Sequence, residues 1–170
     1  MGPTGAPSRR GGPGIHLPAT LIGARRGRDP VEASIYTDGA SRGNPGPCAY
    51  GFLIISGGRV LARRSERLGR CTNNEAEYVA VIRAMEEALR LGIRRIRLHS
   101  DSRLVISQLS GSWRARDPRM RGLLSRAREL SSRFEGVELV NVPREDPFIR
   151  IVDGMCNEAL DSAGRPRRRG

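Results

Sequence analysis

Lysine is absent from this chain: all thirty basic residues are arginine, and against eighteen acidic residues they leave a net charge of +12 at pH 7. Cysteine is scarce. The three present, Cys48, Cys71 and Cys156, are odd in number, widely spaced and without a C-x-x-C pair; they read as reduced thiols in a cytosolic protein rather than a disulfide framework. No apolar run is long enough to span a bilayer, and the opening MGPTGAPSRRGGPGIH lacks the unbroken apolar core of a signal peptide. No membrane association and a cytoplasmic location are therefore expected.

The 170 residues suffice for one domain that buries a hydrophobic core without disulfides or structural metal. Arginine is permanently charged and presents a planar fork that suits phosphate, so the charge points to a polyanion, nucleic acid first. Nine of the arginines lie in the two tails, and a lysine-free composition also fits a GC-rich genome, so charge alone identifies the partner no further.

Residues 1–33 are rich in Gly, Pro and Arg without periodicity and read as a flexible arm; 164–170 read as a basic tail. The span 34–163 between them is patterned. Ser34–Asp38, Pro47–Ser56 and Arg59–Arg67 are predicted strands of an antiparallel meander. The period then changes, and Asn73–Leu91 is predicted helical, with Tyr78, Val81, Ile82, Met85, Ala88 and Leu89 on one side. A strand over Arg94–His99, helices over Ser102–Leu109 and Pro118–Phe134, a strand over Val137–Val142 and a helix over Asp153–Ala163 complete the order. This succession predicts an α/β fold, a mixed five-stranded sheet with helices packed on it.

Four carboxylates stand in unusual places. Thr72 and Glu75 form a T-x-x-E capping box, which gives Glu75 a structural task. Glu77, at about 100° per residue, instead falls on the buried stripe continued by Val81, Ala84 and Ala88. Asp153 precedes Cys156, Leu160 and Ala163 in the same way at the expected start of the last helix. Asp38 closes the first predicted strand and Asp101 the fourth. Each has a plain alternative: a buried arginine partner for Glu77, a helix-dipole contact for Asp153, turn chemistry for Asp38-Gly39 and an N-cap for Asp101. If the first and fourth strands are parallel neighbours, however, all four reach one rim of the sheet. Carboxylates about 4 Å apart repel by on the order of 4 kcal/mol per pair at an effective dielectric near 20, so such a group needs a cation. Oxygen-only ligands favour Mg²⁺ or Mn²⁺, and two such ions would activate water and stabilise a leaving oxygen in phosphodiester cleavage.

The segments YTDGASRGNPGPCAYGFLI, TNNEAEYVAVIRAMEEAL, SDSRLVISQLSGSW and VPRE followed by D-x-x-x-NEALD resemble, in order, the signature segments of type 1 ribonuclease H. The resemblance covers about Ile35 to Asp161 and leans to the prokaryotic and archaeal branch without a basic protrusion. It implies a ribonuclease H-like fold of strand order 3-2-1-4-5 with helices on both faces. It also implies endonucleolytic hydrolysis of the RNA strand of RNA/DNA hybrids by a two-metal mechanism, giving 5′-phosphate and 3′-hydroxyl ends. The family's metal-binding carboxylates fall on Asp38, Glu77, Asp101 and Asp153. Its substrate contacts fall on Asn44, Thr72, Asn73 and Asn74, with Arg103 at a position where glutamine is common. Reading the 2′-OH is how such a site separates RNA from DNA.

Three departures accompany the resemblance. Arg103 alters a minor-groove contact, Arg144-Glu145 occupies the region where longer bacterial enzymes carry a histidine, and EDPFIRIVD is a longer loop before Asp153 without the family's asparagine. His99 is taken as structural. The arginines of residues 1–33 are expected to add sequence-blind, salt-sensitive affinity. A monomer is expected, and double-stranded RNA is a further candidate substrate. The rival reading is a non-catalytic nucleic-acid-binding module on the same fold.

Overall fold

The structure, a computed structural model, describes residues 31–162. The basic tail and nearly all of the expected arm lie outside the described residues. Strands β1 (Glu32–Ser41), β2 (Gly46–Ser56) and β3 (Arg59–Cys71) form a meander. The chain continues through α1 (Asn73–Arg90), β4 (Arg95–Ser100), α2 (Arg103–Leu109), α3 (Pro118–Ser132), β5 (Gly136–Asn141) and α4 (Pro147–Asp161). The sheet order is β3-β2-β1-β4-β5, with β1 antiparallel to β2 but parallel to β4, and β4 parallel to β5.

The two faces of this sheet explain its sequence pattern. Central strand β1 is buried on successive residues, Ala33 to Gly39, because both its sides are covered. On one face α1 sets Tyr78, Val81, Met85 and Ala88 against Ile35, Phe52 and Leu98, with Leu124, Ala127 and Leu130 of α3 behind them. On the other face α4 sets Ile149, Val152 and Met155 against Tyr36, Leu53 and Ile55. Helices thus cover both faces, as the resemblance implied.

Three expectations need correction. β1 runs on past Asp38 to Ser41, so Asp38 sits inside a strand rather than at its end. The last helix begins at Pro147, six residues before Asp153, so all of EDPFIRIVD after Glu145 and the N-cap Asp146 is helical and not an extended loop. The cause is local: the Asp146 carboxylate accepts from the N–H groups of Phe148 and Ile149, and Pro147 at the first helical position needs no N–H partner. Finally, Cys48 and Cys71 are joined in a disulfide, while Cys156 is free and buried. Their separation of 23 residues carried no sign of this, but the β2–β3 register puts Cys71 opposite Gly46 and Cys48 opposite Gly69, which brings the two Cα atoms to 5.8 Å.

Candidate active site

Because β1 and β4 are parallel neighbours, their C-terminal ends emerge at one rim, where Asp38 lies near the end of β1 and Asp101 directly follows Ser100 of β4. Glu77 reaches the same rim from the first two turns of α1. One oxygen from each of Asp38, Glu77 and Asp101 lies within 4.8 Å of the others. Glycine makes this convergence possible. A Cβ at Gly39 would stand 2.4 Å from the carbonyl carbon of Ala76 and from the nitrogen of Glu77, so only a residue without a side chain lets α1 approach β1 this closely. On the opposite face a Cβ at Gly51, paired with Asp38 across β2, would stand 3.1 Å from both Cys156 Sγ and Val152 Cγ1. That contact draws α4 in toward the rim.

The electrostatics are those of an anionic cluster without a salt bridge among the described residues, with the Arg144 guanidinium near Asp101 as a nearby positive charge. Asp38 and Glu77 are each 5% exposed, and Glu77 Oε2 is buried with no hydrogen-bond partner. Burial and the Asp101 charge raise the Asp38 carboxyl to about 7, and the Asp153 charge adds to the rise. Burial, then Asp38 and Asp101, holds Glu77 well above the usual carboxylate range. Asp101 is raised by burial against the opposing pull of the Arg144 guanidinium. Among the described residues, no salt bridge involves Asp38, Glu77, Asp101 or Asp153. The alternative of a buried arginine neutralising Glu77 is thereby removed, and Ser102 rather than Asp101 caps α2 by accepting from Val105 N.

A divalent cation fits this site. The donors are all oxygens, one buried oxygen is orphaned, and the Asp38 and Glu77 carboxyls are held toward their protonated forms by burial first and by neighbouring acidic charge second. Asp153 is placed differently from expectation. It lies in the second turn of α4, exposed, and lines with Asp38, Asp101, Arg144 and Ile149 a cavity of about 230 Å³. It is at the open side of the acidic group and not on the buried stripe, because the helix started six residues earlier than the apolar spacing suggested.

The residues expected to touch substrate gather beside this rim. Asn44 Oδ1 accepts from Asn73 N at 3.2 Å, joining the GNPG loop to the start of α1. Thr72 and Glu75 close the expected capping box, at 3.2 Å for Glu75 N to Thr72 Oγ1 and 2.8 Å for Thr72 N to Glu75 Oε2. Arg119 of α3 adds a 2.7 Å ion pair to Glu75. Asn44, Asn73 and Asn74 remain exposed. Arg103 is also exposed and lies over the Trp113 ring, 5.5 Å from its centre. His99 is structural: buried, stacked on Tyr36 at 4.3 Å, with Nδ1 3.1 Å from the Ile35 carbonyl. Sequence reasoning missed Gly39 and Gly51 as packing devices. The only sign was the glycine beside each paired position, and DG reads first as a turn.

The sheet order and the acidic rim at the ends of its parallel strands define a ribonuclease H-like protein. A family model described as reverse transcriptase-like matches residues 36–159. Ribonuclease HI of Halobacterium salinarum is 44% identical over 155 residues, which cover 91% of this chain and 75% of that protein. The crystal structure of RNase H1 from the halophilic archaeon Halobacterium salinarum NRC-1 superposes with a TM-score of 0.73 at 45% identity, covering 77% of this chain and 98% of the other. LC11-RNase H1, crystallised in complex with an RNA/DNA hybrid, gives 0.71 at 33% identity, covering 77% and 98%. The chain belongs to the ribonuclease H family.

Proposed function

We propose that this chain is a metal-dependent ribonuclease H that hydrolyses the RNA strand of RNA/DNA hybrids endonucleolytically, with Asp38, Glu77, Asp101 and Asp153 as its metal ligands. The observation that supports it most is the convergence of three carboxylates, with no salt bridge to any of them among the described residues, around a buried Glu77 oxygen without a hydrogen-bond partner. Two Mg²⁺ or Mn²⁺ ions in such a site supply activation of water and neutralisation of charge on the phosphodiester. The protein's part is placement. Asp38 on β1 and Asp101 just beyond β4, its parallel neighbour, define the base, and Glu77 is held against β1 by the Gly39 contact. Asp153, on the open side, closes the acidic group toward solvent.

Asn44, Thr72, Asn73 and Asn74 form a polar corner at a helix N-terminus, a location suited to phosphate and to 2′-OH or base-edge contacts in the minor groove. Arg103 extends that surface along α2. Arg144, beside Asp101, offers a guanidinium to the phosphate. The products carry 5′-phosphate and 3′-hydroxyl ends, and the enzyme acts as a cytoplasmic monomer; double-stranded RNA is a second substrate to assay in parallel.

The decisive experiment offers purified protein an end-labelled hybrid with Mg²⁺, with Mn²⁺ or with EDTA, beside Asp38→Asn. Cleavage that needs metal and is lost in the variant supports the reading. Equal cutting by the variant rejects the proposed ligand set, and hybrid binding with no cleavage under any condition identifies a binding module instead.

A further inference from the structure

We propose that the Cys48–Cys71 disulfide positions the asparagine-bearing start of α1 and is a reversible thiol–disulfide modification site through which substrate binding responds to redox state. The inference rests on the substrate-binding role given above to Asn44, Asn73 and Asn74.

Cys71 is the last residue of β3 and directly precedes Thr72, the N-cap of α1. Cys48 is fully buried on β2, beside the core residues Ala49 and Tyr50, whereas Cys71 is half-buried. The bond therefore ties the half-buried end of β3 to a fixed point in the sheet. The tie falls at one edge of the sheet. Among the described residues β3 is an edge strand, paired with β2 alone, and the β2–β3 ladder breaks register between Cys48 and Ala49. An edge strand next to a register shift frays more readily than a central one.

The same few residues carry the proposed substrate contacts. The Cys71 carbonyl accepts from Ser41 Oγ at 2.9 Å, which fastens it to the end of β1 just beyond Asp38. Asn73 N donates to Asn44 Oδ1 at 3.2 Å. Ser41, Asn44, Cys71 and Asn73 thus form one corner, and the disulfide is its only covalent tie between strands. When it opens, that corner is held by hydrogen bonds at a solvent-facing edge, and the spacing of Asn73 and Asn74 from Asn44 relaxes. Asp38, Glu77 and Asp101 are fixed instead by strand pairing and by the Gly39 contact, so reduction is expected to weaken substrate binding and to spare the chemical step.

The chemistry balances with a dithiol as reductant. Its thiolate attacks one sulfur to form a mixed disulfide, its second thiol displaces the protein sulfur, and two protons end on Cys48 and Cys71 while the reductant leaves oxidised. Oxidised glutathione supplies the reverse two-electron step.

The test uses the full chain purified without reductant. Alkylation under denaturing conditions should modify one cysteine, Cys156, and all three after dithiothreitol. Hybrid binding is then measured by fluorescence anisotropy in EDTA, and cleavage in Mg²⁺, for both redox forms. Reduction should raise Kd and KM about 3- to 10-fold, the loss of roughly one well-placed hydrogen bond, with kcat changed by less than about 2-fold. Oxidised glutathione should restore both values. Cys71→Ser should sit at the reduced value whether or not reductant is present, and Asn73→Ala with Asn74→Ala should abolish the redox effect. Three free thiols before reduction, or a Kd and KM that do not move, overturn the proposal even if the melting temperature falls. Binding without cleavage in both forms rejects the enzyme reading while the Kd comparison still decides this one, and absence of hybrid binding in both forms rejects the two together.

Discussion

Asp38 and Glu77 are acidic side chains where ionisation is unfavourable, and that cost is a signature of what the site holds. The Asp38 carboxyl is raised from 3.8 to about 7, chiefly by burial and then by Asp101. The folded metal-free protein therefore holds this proton more tightly than the unfolded chain. The associated stability is present below the unfolded value and is lost as pH rises toward about 7. Asp38→Asn removes the effect. In calorimetry without metal the variant should be more stable than the parent at pH 8, by on the order of 2 kcal/mol, with the gap closing near pH 4. Saturating Mg²⁺ should stabilise the parent alone, and cleavage by the variant should fall about 100-fold or more.

The same proton must leave before a cation binds. Mg²⁺ affinity, measured by titration calorimetry, should therefore rise with pH and level off above about 7, with the pH 6 value roughly 10-fold weaker than the plateau and with protons released on binding. A flat profile from pH 6 to 8 would show that Asp38 is not the group being displaced.

At the level of elements, the site depends on how closely α1 approaches β1. Gly39→Ala puts a carbon 2.4 Å from backbone atoms of Ala76 and Glu77, and no rotamer change relieves a clash with backbone. The helix must shift outward, at a cost of about 2–4 kcal/mol in denaturant unfolding, and Glu77 moves with it, so metal affinity should fall too. Gly122→Ala is the control: nothing lies within 4 Å of its added carbon, and in the middle of α3 it should stabilise by about 0.5–1 kcal/mol.

Legibility in the sequence followed the same division. Glu77 could be read as a buried anomaly because helical periodicity is a property of the local chain, and its stripe mates Val81, Ala84 and Ala88 are indeed fully buried. Asp101 is legible as the acid after a strand end, while Asp38 is legible as an acid on the first strand but not as lying inside it; their meeting depends on β1 and β4 being parallel neighbours. Asp153 is hard to place from sequence because its apolar spacing competes with the Asp146-Pro147 start signal, and the latter fixes where α4 begins. The disulfide could not be read at all, since it depends on the β2–β3 register and not on spacing. Gly39 needed the packing distance between a strand and a helix, which no one-dimensional pattern carries.

On the scale of the molecule, charge is distributed unevenly. The described residues hold twenty-one arginines against seventeen acids, so two thirds of the net charge of +12 lies in residues 1–30 and 163–170. Many arginines within the described residues are already paired, as Arg97 is with Glu138 at 2.7 Å and Arg119 with Glu75 at 2.7 Å. Arginines bind phosphate by releasing counterions, which makes their contribution blind to sequence and steeply dependent on salt. Removing residues 1–30 and 163–170 should therefore weaken hybrid binding about 10-fold or more near 50 mM salt and make little difference near 500 mM. The slope of log Kd against log salt should flatten by roughly one to three units, read by anisotropy across that range. Because Asp38, Glu77, Asp101 and Asp153 all lie within 31–162, kcat in Mg²⁺ should be retained. An unchanged slope would mean that the terminal arginines meet no phosphate, and the affinity would then have to come from the exposed corner of Asn44, Asn73 and Asn74 and from Arg103 beside Trp113.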